Sequence, residues 1–158
     1  MLKNFIAFLG RFCLSLIFIA SAVSKIVNWQ GSEQLVLEHL TNLSTYGLGI
    51  SWLQQLIELV TPMVPALLIA AVFCELVGGL CLLLGLQVRF GAFLLIVFLI
   101  PTTLLMHHFW FLQEPARGLE TVMFLKNLSI LGGLLVVLAF GKGRGIASCP
   151  DKKESPKS

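Results

Sequence analysis

The chain is short of charge. Asp, Glu, Lys and Arg together make up 12% of its 158 residues, about half the share that covers an ordinary soluble domain. That scarcity excludes a soluble enzyme, because too little polar material is present to face water on all sides. The net charge of +3 is spread along the chain, so there is no basic stripe with interleaved aromatics, and nucleic acid is excluded as a partner. The four cysteines, Cys13, Cys74, Cys81 and Cys149, form no Cys-x-x-Cys pair, which argues against a zinc knuckle and a dithiol redox centre. No haem, flavin or iron–sulfur motif is visible either.

What the sequence has in abundance is long apolar runs. Hydrophobic residues make up 57% of the chain, and four runs are each long enough to cross ~30 Å of hydrocarbon as a helix. The first extends from Phe5 to Val27, broken only by Arg11 and Lys25. A cleaved secretory signal competes for the same residues, with Ala20-Ser21-Ala22 as its small-residue site, but three further spans favour an uncleaved first helix. The second runs from about Val64 to Leu84, with Pro62 and Pro65 at its start; the third runs from about Arg89 to His108, with Pro101 inside it. The fourth runs from about Thr121 to Phe140. The expected architecture is an all-α integral membrane protein, a four-helix transmembrane bundle over residues 1–145, with 146–158 as a basic, disordered tail.

Residues 28–62 form the one long connection. Ser51-Trp52-Leu53-Gln54 has capping-box spacing and is followed by Leu56, Ile57 and Val60, which predicts an amphipathic outer-face helix between spans one and two. Lys3, Arg11, Arg89, Lys142, Arg144, Lys152, Lys153 and Lys157 fall on one side, whereas 28–62 holds no Lys or Arg. By the positive-inside bias both termini are expected in the cytoplasm.

Ionisable residues inside the spans are the candidates for function: Arg11, Lys25, Glu75, His107, His108 and Lys126, with Asn127 beside the last. A charge at mid-membrane costs ~2.5–3.5 kcal/mol on insertion scales, so each calls for a partner, a route to the headgroups or a role. Counted from the cytoplasmic ends of the spans, Arg11 lies ~9 Å deep, Glu75 ~13 Å, Lys126 ~21 Å, His107 ~27 Å and Lys25 ~30 Å. On that count Arg11 is the expected partner of Glu75, clamping helices one and two. Glu75 is too short and too central to reach the headgroups, and is the first candidate for proton transfer. Lys25, His107, His108 and Lys126 are expected to gather in the outer half around a polar pocket. Adjacent helical residues point ~100° apart, so His107 and His108 share a site only if the helix has already ended, and a two-histidine metal site is disfavoured. Gly78-Gly79 and Gly132-Gly133 lie within ~3 Å of the same depth, which suits close packing of helices two and four, or of a third helix against them.

The order of these features resembles the DoxX family of four-span bacterial membrane proteins, part of a wider group that includes the surfeit-locus cargo receptors. The matching residues are Arg11-Phe12 and Lys25, Glu75-Leu76-Val77-Gly78-Gly79 with Leu84-Gly85, His107, and Lys126-Asn127-Leu128 with Gly132-Gly133-Leu134-Leu135. They cover about residues 5 to 145. One departure is Ala22, where the family often has glycine. The resemblance implies a bacterial cytoplasmic (inner) membrane protein, linked in some relatives to thiosulfate:quinone-type oxidoreductases and in others to binding of exported proteins. Two functions follow. One is a small subunit of a quinone-linked redox system, with Glu75 carrying a proton, Lys126, Asn127 or His107 at a quinone headgroup, and redox partner subunits. The other is a non-enzymatic assembly protein or small-solute carrier, which with four spans would form a homodimer.

Overall fold

The computed structural model describes residues 2–46 and 49–141, with only the backbone at residue 3. The tail expected beyond Gly141, with Cys149 and the basic residues from Lys142 onward, lies outside the described residues. Every regular element among those described is helical: α1 (Leu2–Val27), α2 (Trp29–Tyr46), α3 (Ser51–Val60), α4 (Val64–Leu84), α5 (Val88–Met106) and α6 (Ala116–Phe140). Four stretches are long and apolar enough to cross a membrane, Asn4–Val27, Ser51–Leu84, Val88–Phe111 and Ala116–Phe140. They carry the four expected spans.

Helices α1, α4 and α5 form the tight part of the bundle. Phe18, Leu82, Val88, Ala92, Leu95, Ile96, Leu99 and Leu134 make one buried cluster between them and α6. The closest approach is at Gly78 and Gly91, where a methyl group added to Gly78 would lie 2.7 Å from Leu95 Cγ and 3.0 Å from the Gly91 carbonyl oxygen. Gly79 admits α1 in the same way, its added methyl lying 2.8 Å from Ile19 Cγ1. Small residues thus let backbones meet, as membrane helices without a water-driven collapse require. The partners differ from one expected pairing: Gly78 and Gly79 receive α5 and α1, Gly133 only touches Leu14, and nothing lies within 4 Å of a methyl at Gly132. Helix α6 is the loosest span, with 6% of its most apolar stretch buried against 39% for α5.

Two arginines mark one end of the bundle. Gly85 closes α4 in the left-handed conformation (φ 69°), and Arg11 of α1 lies over it, Nη2 being 3.7 Å from where a methyl would stand. Arg89 of α5 bonds the Ala139 carbonyl at 3.1 Å and lies against Gly141 (φ 63°), which closes α6. A cation at a helix C-terminus meets the last free carbonyls and the negative end of the dipole. Arg11 of α1 thus lies at the end of α4 as Arg89 of α5 lies at the end of α6. We call this the turn end.

At the opposite, cap end the structure departs from expectation. Residues 28–62 hold two helices rather than one. Val36, Leu37, Leu40 and Leu43 recur at helical spacing along α2, which packs with Leu53, Ile57 and Val64 of α3 and α4 and Leu105 of α5 in a second cluster. Ser51 is the first residue of α3 and makes no capping bond; Ile50 stands at the cap position. Between α1 and α2 the chain bends at Asn28, whose Oδ1 accepts from the Gly31 N–H at 3.2 Å. Helix α5 ends at Met106, two residues earlier than expected, and α6 begins at Ala116, taking in Glu120.

Candidate functional site

Among the described residues Glu75 is the most deeply buried charge, its side chain 1% exposed midway along α4. Its partner is Lys25, not Arg11. Lys25 Nζ donates to both carboxylate oxygens at 2.9 Å, and Ser21 Oγ donates to Oε1 at 2.7 Å. Ser21 also accepts from Lys25. The four-residue spacing places Ser21 and Lys25 on one face of α1, and helical side chains lean toward the N-terminus, so the lysine reaches back one turn. Phe98 of α5 closes the site, its ring centroid 5.4 Å from the ammonium.

The register of α1 against α4 explains why Arg11 is elsewhere. Equating the height of Phe5 with that of Leu84 assumes that both helices end together. Instead α1 begins at Leu2 and slides past the end of α4, so that Arg11 lies at Gly85. Gly85 is ten residues, or ~15 Å of helix, from Glu75. The same slide brings Ser15 to Gly79 and Ser21 to Glu75.

The expected outer polar pocket does not assemble from Lys25, His107, His108 and Lys126. Lys126 is exposed on α6, its Nζ 3.3 Å from Met123 Sδ. Asn127 donates to Thr103 Oγ1 at 3.1 Å, and Thr103 itself donates to the Leu99 carbonyl. Asn127 lines a small open cleft of about 100 Å³ between α5 and α6, with Leu99, Thr103, Phe124, Leu128 and Leu131. That volume is well below the ~300–1,000 Å³ of usual ligand sites.

The histidines diverge because α5 has ended. His107 leaves helical geometry (φ −118°, ψ 59°), and its Nδ1 lies 2.7 Å from Glu120 Oε2. His108, buried at 4% exposure, puts Nδ1 2.9 Å from the Leu105 carbonyl oxygen. A carbonyl only accepts, so this nitrogen carries the proton. The residue missing from the sequence reading is His39 of α2, whose ring meets His108 edge to face at 5.9 Å. No signal in the connection singled it out, because its significance depends on α2 packing against the end of α5. Among the described residues no group of three or more His, Cys, Asp and Glu is arranged to hold a metal ion.

A polytopic bundle of four apolar helices, with the Lys25–Glu75 ion pair among them, is the class of protein that this fold and site define. The DoxX model matches residues 6–108, and the chain belongs to the DoxX family. The SURF4 family model matches residues 70–155. Among curated proteins, the chain is similar to the inner membrane protein YphA of Escherichia coli, 27% identical over 135 residues that cover 85% of this chain and 82% of that one. It is also similar to the inner membrane protein YqjF of the same organism, 26% identical over 134 residues with the same coverage. The ER-derived vesicles protein ERV29 of Saccharomyces cerevisiae is 30% identical over 83 residues, 52% of this chain but 26% of the yeast protein. The chain thus matches about a quarter of that relative's length. No solved structure matches it.

Proposed function

We propose that the protein is a small inner-membrane accessory of a quinone-linked redox system, with Lys25, Glu75 and Ser21 as its proton-exchanging element. The supporting observation is a carboxylate buried among apolar helices and neutralised by one flexible amine. Lys25 is the more open partner, 21% exposed. Swinging it away strands the carboxylate in a medium that favours the neutral acid, so loss of the amine contact and uptake of a proton are coupled. The inner-membrane setting is carried over from the two bacterial relatives, and the arginine-bearing turn end faces the cytoplasm in this reading.

The quinone is assigned to a partner. Lys126, Asn127 and His107 point to three different places, so they do not form a headgroup site, and no step on the quinone is assigned to this chain. The partners required are redox subunits and, on the open face of α6, a second copy.

The second reading is a non-enzymatic assembly or carrier protein in which the same pair sets helix register. It is favoured by the saturation of Glu75, both of whose oxygens are hydrogen-bonded. The deciding experiment is mass spectrometry of the protein purified in mild detergent from its native membrane, alongside a Glu75→Gln strain. Redox subunits and quinone that accompany the wild type, with slower quinone turnover in the variant, support the redox reading. A wild type free of both, with a variant that is merely less stable, moves the assignment to assembly.

A further inference from the structure

The cap end holds a titratable cluster with no part in the proposed proton exchange. His39 of α2 faces His108 of the α5–α6 connection, and Tyr46 of α2 stands 6.0 Å from the same His108 ring. Nδ1 of His39 is buried without a hydrogen-bond partner. The charged and titratable groups that act on His39 are His108 and His107 of the connection, Glu120 of α6 and Glu38 of α2. The faces of α3 and α4 beneath α2 are apolar: Leu53, Ile57 and Val64.

We infer that α2 is an acid-released cap, held over the end of the bundle by the His39–His108 ring contact and let go when His39 takes a proton. Protonation would place a new N–H and a positive charge at a buried nitrogen that has no hydrogen-bond partner, opposite a second imidazole. The neighbouring carboxylates do not rescue it. Glu120 is engaged with His107 at 2.7 Å, and Glu38 is exposed to solvent. Burial, and then His108, hold the His39 imidazole below its ordinary range, outweighing the pull of Glu120 and Glu38.

The sign follows from linkage. The released cap binds the proton more readily than the docked one, so docking is at full strength above the ordinary histidine value of about 6.5 and weakens as pH falls through the lower docked value. Release uncovers Leu40, Leu53, Ile57 and Val64, and frees the segment that follows the Asn28 bend. On the orientation proposed above, this end faces the outside, where pH varies with the surroundings. The inference itself needs neither a redox role nor a quinone.

The test is hydrogen exchange by mass spectrometry on the full chain in lipid nanodiscs at about pH 7.5 and about pH 5, corrected for intrinsic exchange. Opening of segment 36–46 is expected to rise on the order of tenfold in acid while segment 15–22 of α1 holds, and His39→Phe is expected to remove the rise. An unchanged wild-type segment, an equal loosening of segment 15–22, or a full acid response in His39→Phe each overturns the proposal. Should His39→Phe already release the cap at neutral pH, the wild-type His39 titration followed by NMR decides instead. A midpoint below about 6.5 supports the latch, and one at or above it overturns it.

Discussion

Two polar clusters share this bundle, and they are built on opposite terms. At mid-bundle, Glu75 is enclosed and satisfied: three hydrogen bonds from Lys25 and Ser21 reach its two oxygens. At the cap end, His107 and Glu120 form a pair whose side chains are each about a quarter exposed, while His39 keeps a buried nitrogen with no partner. The first arrangement changes only when loss of the amine contact and uptake of a proton go together, because either alone strands a charge. The second is poised for change because one proton alters its balance.

The largest effect expected from breaking that contrast is at Glu75. Glu75→Leu leaves the Lys25 ammonium beside apolar helices and should cost about 3–5 kcal/mol, measured by detergent-induced unfolding. The double variant with Lys25→Met should recover most of that loss, because the charge and its partner go together. Next is the seam beside the pair. Gly91→Ala would place a methyl 2.6 Å from Cys81 Cβ and 2.9 Å from the Gly78 carbonyl oxygen, an overpacking worth about 1–3 kcal/mol. Gly132→Ala, with open space around it, should be neutral or raise stability by about 0.5–1 kcal/mol through helix propensity. A comparable loss in both glycine variants would show that α6 is packed as tightly as α5.

Smaller effects sharpen the comparison. Thr103→Val removes the acceptor of Asn127 and should cost about 0.6 kcal/mol, the average for such bonds between membrane helices. Glu120→Gln at the half-open cap pair should change stability by about 0.5 kcal/mol or less. If Glu120→Gln instead destabilised the protein as much as Glu75→Leu, the cap end would be a second clamp rather than a responsive contact.

The four spans were legible because their apolar runs have no alternative use in a chain so poor in charge. Glu75 was legible for the same reason, as an isolated carboxylate in such a run. Its partner was not, since height along a helix was counted from span ends, and the slide of α1 past Gly85 is a packing result that no single helix records. Gly91 escaped notice because it stands alone, whereas Gly78-Gly79 is a visible pair. Helix α2 was obscured by its polar content, although Val36, Leu37, Leu40 and Leu43 mark its buried face. The histidines needed one fact that the residues alone do not supply, that α5 ends at Met106.

The bend at Asn28 gives the chain the mechanics of an elbow. Lys25 lies three residues before it and is held at Glu75, while α2 begins one residue after it. The upper arm is therefore pinned and the forearm rests on the end of the bundle. A load applied to the forearm reaches the pinned amine within a single turn of helix, with no intervening loop to absorb it.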